Sequence, residues 1–275
     1  MIDIKDVTYS YPGQAPKVVD GLSLRLEDGR IYGLLGENGV GKTTLLGLMC
    51  GLLRPKAGVV EADGTDVCLR RPETLASIFY VPDEFELPHV SLSTYVRANA
   101  PFYTQFDHSE LERSLAEFDM ATDIRRLDQL SLGQRKKVML CFAVASGAKT
   151  LLMDEPSNGL DIPSKAQFRK VMASAMTGDR LAVISTHQVH DVEQLLDNVV
   201  ILDSHSILLN KSIGQLSQEF TFGTLMPGET MPDIIYSEPS IGGLSFMARR
   251  QDDAEETQVN MELLFNAVTR GLLNK

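Results

Sequence analysis

No run of eighteen apolar residues occurs anywhere in the sequence, so no helix is expected to span a bilayer. The opening MIDIKDVTYSY lacks the basic start and apolar stretch of a secretory signal, and a soluble, cytoplasmic protein is expected. Positive charge is also scarce. Lys and Arg number 26 against 37 Asp and Glu, a formal net charge of −11, which argues against free DNA or RNA as a ligand. A nucleotide needs only a local positive pocket and stays open. Cys50, Cys68 and Cys141 are odd in number and share no C-x-x-C spacing, so they read as reduced thiols with packing roles. Low-complexity tracts and internal repeats are missing as well. What is present is a 275-residue chain, 43% hydrophobic and 23% charged, long enough for a sizeable core in one large domain or two small ones.

GLSLRLE (21–27) alternates apolar and polar residues, the period of a strand with one wet face. Asp28-Gly29 then offers hairpin turn chemistry before RIYGLLG, an apolar run that reads as a buried strand. TLLMD (150–154) and RLAVIST (180–186) have the same buried character, with helical spacing in KTTLLGLMCGLL and SKAQFRKVMASAM between the strands. Strands alternating with helices predict an α/β fold with a largely parallel sheet, plus an antiparallel portion from the early hairpin. Residues 84–148 change texture: STYVRANAPFYTQF, SELERSLAEFDM and QRKKVMLCFAVASGA are helical in spacing, which predicts an all-helical insert. The expected organisation is a core of 1–83 and 149–213, a helical subdomain of 84–148, and an accessory segment of 214–275. That last segment runs from Gly, Pro, Ser and Met through the acidic DDAEE to a final helix, NMELLFNAVTRGLL.

GENGVGKT (36–43) matches G-x-x-x-x-G-K-[ST] in full, preceded by a strand and followed by a helix as a P-loop requires. Gly36, Gly39 and Gly41 let the backbone curl, so that the N–H groups of Glu37, Asn38, Val40 and their neighbours point at phosphate oxygens. Lys42 would sit between the β- and γ-phosphates of ATP, Thr43 would offer its hydroxyl to Mg²⁺, and Thr44 extends the cradle into the helix N-terminus. Downstream, LLMDEP ends an apolar strand in two carboxylates. Successive strand residues face opposite ways, so Asp154 can serve the metal while Glu155 turns to an attacking water.

A second turn before a helix, QLSLGQRKKVML (129–140), opens on Arg135, Lys136 and Lys137, at the end where the helix dipole is already positive. Those three cations read as a solvated basic face. Phosphate loop, DE pair and LSLGQ together resemble, in order and over about residues 1–210, the nucleotide-binding subunit of an ATP-binding cassette (ABC) transporter. SNGLD (157–161) is similar to that family's D-loop, ending in Asp161, and STH (185–187) to its switch histidine, His187. The family signature is usually LSGGQ; here Leu132 replaces the first glycine, while Ser131, Gly133 and Gln134 are kept. The resemblance implies two copies packed head to tail, each signature turn capping the ATP held by the other's phosphate loop. It also implies that Glu155 polarises the nucleophilic water, that His187 contacts the γ-phosphate, and that a separately encoded membrane subunit is the partner. His89, His108, His190 and His205 are expected to be structural.

An aromatic stacks on adenine in the family. Tyr9 and Tyr11 share a strand face by periodicity, which cannot choose between them; the family spacing points to Tyr11. The family's glutamine before the helical insert is Asp83 here, in YVPDEFELP, either a Mg²⁺ ligand or only a shaper of the loop. The resemblance also offers Phe85, Leu87, Val90 and Tyr95 for the membrane partner's surface, although packing within the insert is the expected fate of most. The short insert and the tail, with Glu262-Leu263-Leu264-Phe265, resemble exporters. A soluble cassette ATPase of ribosomes or DNA fits less well, since those resembling this chain usually carry two cassettes or long coiled coils. A P-loop kinase of small molecules would leave LSLGQ and SNGLD without a purpose.

Overall fold

The computed structural model of the chain describes residues 1–13, 16–203, 205–251 and 255–274. From the N-terminus come β1 (Ile2–Tyr9), β2 (Val19–Leu26), β3 (Ile31–Leu35), α1 (Lys42–Met49), β4 (Ala57–Ala62), β5 (Thr65–Asp66), α2 (Pro72–Ala76) and β6 (Ile78–Val81). Three helices follow: α3 (Leu92–Asn99), α4 (His108–Glu117) and α5 (Leu132–Ala145). The second half adds β7 (Thr150–Asp154), α6 (Ile162–Ala175), β8 (Leu181–Thr186), β9 (Asn198–Asp203), β10 (Ser206–Ser212) and α7 (Ile213–Glu219). It closes with β11 (Phe220–Leu225), β12 (Ile234–Ser240), β13 (Gly243–Arg249) and α8 (Met261–Thr269).

The central sheet has the order β10-β9-β3-β8-β7-β6, parallel throughout except for β10. β3, β7 and β8 are buried along their whole lengths, as strands covered on both faces must be. Their C-terminal ends converge, which brings the phosphate loop after β3, Asp154 at the end of β7 and His187 just past β8 to one edge. A separate antiparallel sheet, β2-β1-β4-β5, packs together with α1 against one face of the central sheet.

The antiparallel portion is therefore built differently from the expected hairpin. β2 pairs with β1 and not with β3, so Asp28-Gly29 carries the chain from one sheet to the other. The reason lies in the strands themselves. β2 has an alternating burial pattern suited to a half-wet sheet, whereas the wholly apolar β3 needs cover on both faces. α3 also stops earlier than its spacing suggests, because Pro101 carries no N–H for the carbonyl one turn back.

Residues 84–148 hold helices and no strand. They are built around Phe142 of α5, whose ring meets Phe79 at 5.7 Å, Tyr95 at 5.3 Å and Phe106 at 5.0 Å between centroids. Leu87 is buried in that core, with Phe85, Val90 and Tyr95 packed against it. The tail is more than a loose segment with one helix: β11, β13 and β12 form a third, antiparallel sheet. Its strands were hidden by their setting. MPGETMPD separates two of them, and Pro239 within β12 is tolerated because β12 lies at the sheet's edge. α8 spans Met261–Thr269 and buries Leu263 and Leu264 in the same core as Met153 and Ile184. Residues 252–254 of the acidic DDAEE lie outside the described residues.

Cys50 and Cys141 are buried, Cys68 is half-buried, and all three are free thiols. Among the described residues no helix is long and apolar enough to cross a membrane.

Candidate active site

The phosphate loop curls because Gly39 and Gly41 adopt φ angles of 83° and 112°, a region that side-chain-bearing residues avoid. Gly41 is also the residue on which α1 begins, and no side chain caps the helix there. The first-turn N–H groups of α1 thus point into the cavity without a capping oxygen. Lys42 is buried, and its Nζ donates to the Gly36 carbonyl at 2.7 Å and the Glu37 carbonyl at 3.1 Å. Burial pushes its pKa down, against the upward pull of Glu155 and Asp154.

Two short hydrogen-bonded chains face this loop. In the first, Thr43 Oγ1 donates to Asp154 Oδ2 at 2.5 Å, while Ser185 Oγ on β8 donates to Asp154 Oδ1. In the second, Glu155 Oε1 meets His187 Nδ1 at 2.7 Å and accepts the His187 N–H at 3.1 Å. Asp154 and Glu155, adjacent in sequence, thus point to different partners, as expected of successive residues at a strand's end. Glu155 departs from the strand by taking φ 46°, in the left-handed region. Its N–H donates to the Ser185 carbonyl at 3.0 Å.

A cavity of about 460 Å³ is lined by Tyr11, Val18, Asn38, Gly39, Gly41, Lys42, Thr43, Thr44, Asp83, Asp154 and Glu155. Tyr9 and Tyr11 separate here: Tyr9 is buried in the core, whereas Tyr11 is half-exposed at the cavity, its hydroxyl 2.9 Å from Thr44 Oγ1. A second cavity of about 820 Å³ adjoins the loop and lies between Gly36–Asn38, residues 186–191 and α8. At its rim His190 Nε2 reaches Glu262 of α8 at 3.3 Å. His89, His108 and His205 lie against Asp128, the Phe106 ring and the Val18 carbonyl respectively.

Thr43 and Asp154 form an all-oxygen donor set suited to a hard divalent cation, and their contact shows that both can address one point. Asp83 is engaged otherwise. Its Oδ1 accepts from Lys136 Nζ at 2.8 Å and from Asn158 Nδ2 at 3.1 Å, which fits the loop-shaping alternative.

Ser131, Gly133, Gln134 and Asp161 do not line the phosphate cavity. Ser131 begins α5 in a capping box: its Oγ accepts the Gln134 N–H at 3.3 Å, and Gln134 Oε1 accepts the Ser131 N–H at 3.0 Å. Accepting leaves the serine's own hydroxyl hydrogen available to another partner. A Cβ on Gly133 would come within 2.9 Å of the Gly159 carbonyl, so the signature turn packs directly on the 157–161 loop. Asp161 caps α6 through Ser164 N at 2.9 Å, and its hydrogen bonds to Ser164 hold its carboxyl below the usual carboxylate range. Leu132 and Ile162, beside these two caps, are exposed large apolar residues, 45% and 85% accessible.

The solvated basic face expected at 135–137 is not there. Lys136 is 1% exposed, Arg135 and Lys137 are half-buried, and Arg135 Nη1 and Lys137 Nζ approach the Phe85 and Phe118 carbonyls at 3.4 Å. Position in α5 explains it, since Lys136 lies one turn before the buried Leu140 on the helix's inner face. That spacing, with the acid at Asp83, was the sequence clue to the pair. Ser185, within the STH stretch, and Asn158, within SNGLD, were also missed as partners of the site.

The sequence profile of the ABC transporter family matches residues 19–158, from β2 through both carboxylates. The chain belongs to the ABC transporter family. Within it, it is an ATP-binding, ATP-hydrolysing protein of the kind that serves transporters. A high-affinity zinc uptake system ATP-binding protein of Bacillus subtilis (strain 168) is 30% identical over 217 residues, 74% of this ABC protein and 91% of that one. A daunorubicin resistance ATP-binding protein of Streptomyces coeruleorubidus is 29% identical over 213 residues, covering 74% of this chain and 66% of the relative. The fold is shared with a solved ATP-binding subunit of an ABC transporter, at a TM-score of 0.71 and 23% identity over 78% of this chain and 91% of that chain.

Proposed function

We propose that this chain energises transport as a two-copy sandwich, with ATP held between the Lys42 loop of one copy and the Ser131 turn of the other. The observation that carries this reading is a division within one chain. The phosphate loop, Asp154 and Glu155 gather around one cavity and His187 holds Glu155 beside it, while the signature turn and Asp161 lie outside it beside the exposed Leu132 and Ile162. A second copy completes the site.

Hydrolysis of ATP by water depends mainly on positioning and on neutralising the charge that spreads over the transferred phosphoryl group. Lys42 and the uncapped N–H groups of α1 supply positive charge on one side; the Ser131 hydroxyl and the backbone at Gly133 supply donors from the partner copy. Both donors on Glu155 reach Oε1, so Oε2 is the oxygen that polarises the water. His187 orients the carboxylate through its Nδ1–H, and as an imidazolium it would also offer its Nε2–H to the γ-phosphate. Thr43 and Asp154 would hold Mg²⁺, which supplies charge neutralisation to the phosphates when bound. Tyr11 stacks on the adenine.

ATP binding closes the pair and hydrolysis opens it; a membrane subunit on a separate chain converts that motion into movement of cargo, with this chain on the cytoplasmic face. Export is the direction proposed, supported by the short helical insert and the tail around α8; the relative named for daunorubicin resistance is compatible with it. The domains follow the same division of labour: a core of 1–83 and 149–213, the 84–148 subdomain with the signature, and the 214–275 accessory segment.

Glu155→Gln tests the reading. The variant should bind ATP and form a stable larger species with ATP and Mg²⁺ in sizing experiments, while its hydrolysis falls about 10²–10⁴-fold, the usual contribution of a positioned general base. Full activity in that variant would remove Glu155 from the role.

A further inference from the structure

One buried charge near the site has no part in holding phosphate. Lys136 sits on α5, and its Nζ donates to Asp83 Oδ1 at 2.8 Å and to the main-chain oxygen of Glu155 at 2.7 Å. Asn158 closes the ring: its Nδ2 donates to Asp83 Oδ1 at 3.1 Å and its N–H to the same Glu155 oxygen at 3.1 Å. The loop after β6, helix α5 and the turn after β7 thus meet at a single ammonium.

The carbonyl on which Lys136 and Asn158 converge belongs to the residue with φ 46°. A non-glycine residue in the left-handed region is disfavoured and persists only where its surroundings over-determine it. Here the surroundings act at both ends of the residue. His187 holds the carboxylate, and Lys136 holds the carbonyl through a charge-assisted bond, stronger than a neutral donor would give. Without the lysine that carbonyl keeps only the neutral Asn158 N–H, a weaker hold on the left-handed conformation, and the carboxylate can shift away from His187.

We infer that Lys136 is a positioning residue for Glu155: a cation supplied by the helical insert that fixes the backbone of the water-polarising carboxylate, with Asp83 as its counter-charge and not as a metal ligand. The inference rests on the role given to Glu155 above. It also places strut and signature on one helix, since Lys136 lies five residues beyond the Ser131 cap of α5.

Four full-length variants test it, each assayed for basal ATP hydrolysis, binding of a fluorescent ATP analogue, Mg²⁺ dependence and melting temperature. Lys136→Met should lower kcat about ten- to a hundredfold, the scale of effect when a reacting group is misplaced by up to an ångström, with nucleotide affinity unchanged. Asp83→Asn removes the counter-charge but keeps the lysine's bond to Glu155; a lower melting temperature is expected, with a kcat loss smaller than that of Lys136→Met and an unaltered Mg²⁺ dependence. The double variant Asp83→Asn/Lys136→Met removes both charges, which a folded interior tolerates better than one charge alone. It should regain stability and keep the low kcat, and it carries the test if Lys136→Met alone does not fold. A double variant hydrolysing at the wild-type rate would mean that the pair only balances charge, and the inference would be overturned. Asp83→Asn as slow as Lys136→Met, or with altered Mg²⁺ dependence, would overturn it as well. Glu155→Gln, run alongside, keeps the two ideas apart. Normal hydrolysis there removes the role of Glu155 itself, whereas an inactive Glu155→Gln beside a fully active Lys136→Met removes only the strut.

Discussion

α1 and α5 both begin at a glycine-containing turn, and they begin in opposite ways. α1 starts on Gly41, in a left-handed conformation and without a side-chain cap, so its first amides and the buried Lys42 form a concentrated positive end. α5 starts on Ser131 in a capping box, with two of its end groups already satisfied within the chain. One helix start is unfinished until an anion arrives; the other is stable alone and has only a hydroxyl hydrogen and some backbone to spare. The difference teaches that the two turns make unequal contributions to one ligand. In the proposed sandwich the first would bind it, and the second would recognise that it is bound.

That contrast can be broken most severely at α1. Lys42→Ala should cut ATP hydrolysis by about 10²–10³-fold, the loss expected when a preorganised group is removed from a developing charge, and should weaken nucleotide binding in the same variant. Phosphate release and analogue binding measure the two effects. Binding that survives intact would place the phosphates elsewhere. At α5 the outcome should split. Ser131→Ala should leave nucleotide binding to the single chain unchanged and lower hydrolysis about tenfold, equivalent to about 1.4 kcal/mol of transition-state stabilisation. Its melting curve should report a loss of about 1 kcal/mol, the usual value of such a cap. Equal damage to binding and hydrolysis would make the two helix starts parts of one site in a single chain. The smallest effect is expected from Leu132→Gly. Leu132 is largely exposed in the single chain, so monomer stability should change by no more than about 1 kcal/mol, through the helix preference of glycine. Association in the presence of ATP should weaken, because an apolar side chain offered to a second copy is gone. Light scattering with and without nucleotide distinguishes these outcomes.

Much of this site was legible in the sequence because its chemistry is local. The phosphate loop is eight consecutive residues with conformational demands that only glycine meets, and the DE pair follows directly from an apolar run. The parallel sheet and helical insert could be read from periodicity alone. Legibility failed wherever a residue's role depends on something distant along the chain. Lys136 looked solvated because its partner, Asp83, is 53 positions away, and a helix dipole argument cannot see the other side of a core. Asp28-Gly29 has the composition of a hairpin turn, yet the choice of partner for β3 is made by β8 and β9. The tail's strands escaped because Pro239 and the MPGETMPD connection carry the local marks of a loop, while their pairing is fixed through β13.

The placement of β3 has a consequence for how the protein is made. Its neighbours on either side, β8 and β9, begin at residues 181 and 198, so a growing polypeptide has synthesised most of its length before the strand that leads into GENGVGKT finds either one. Contacts so far apart in sequence form slowly. The helices of residues 92–145, whose mutual contacts are closer in sequence, are free to collapse during that interval. Synthesis therefore delivers the helices before the two strands that flank the one leading into the phosphate loop.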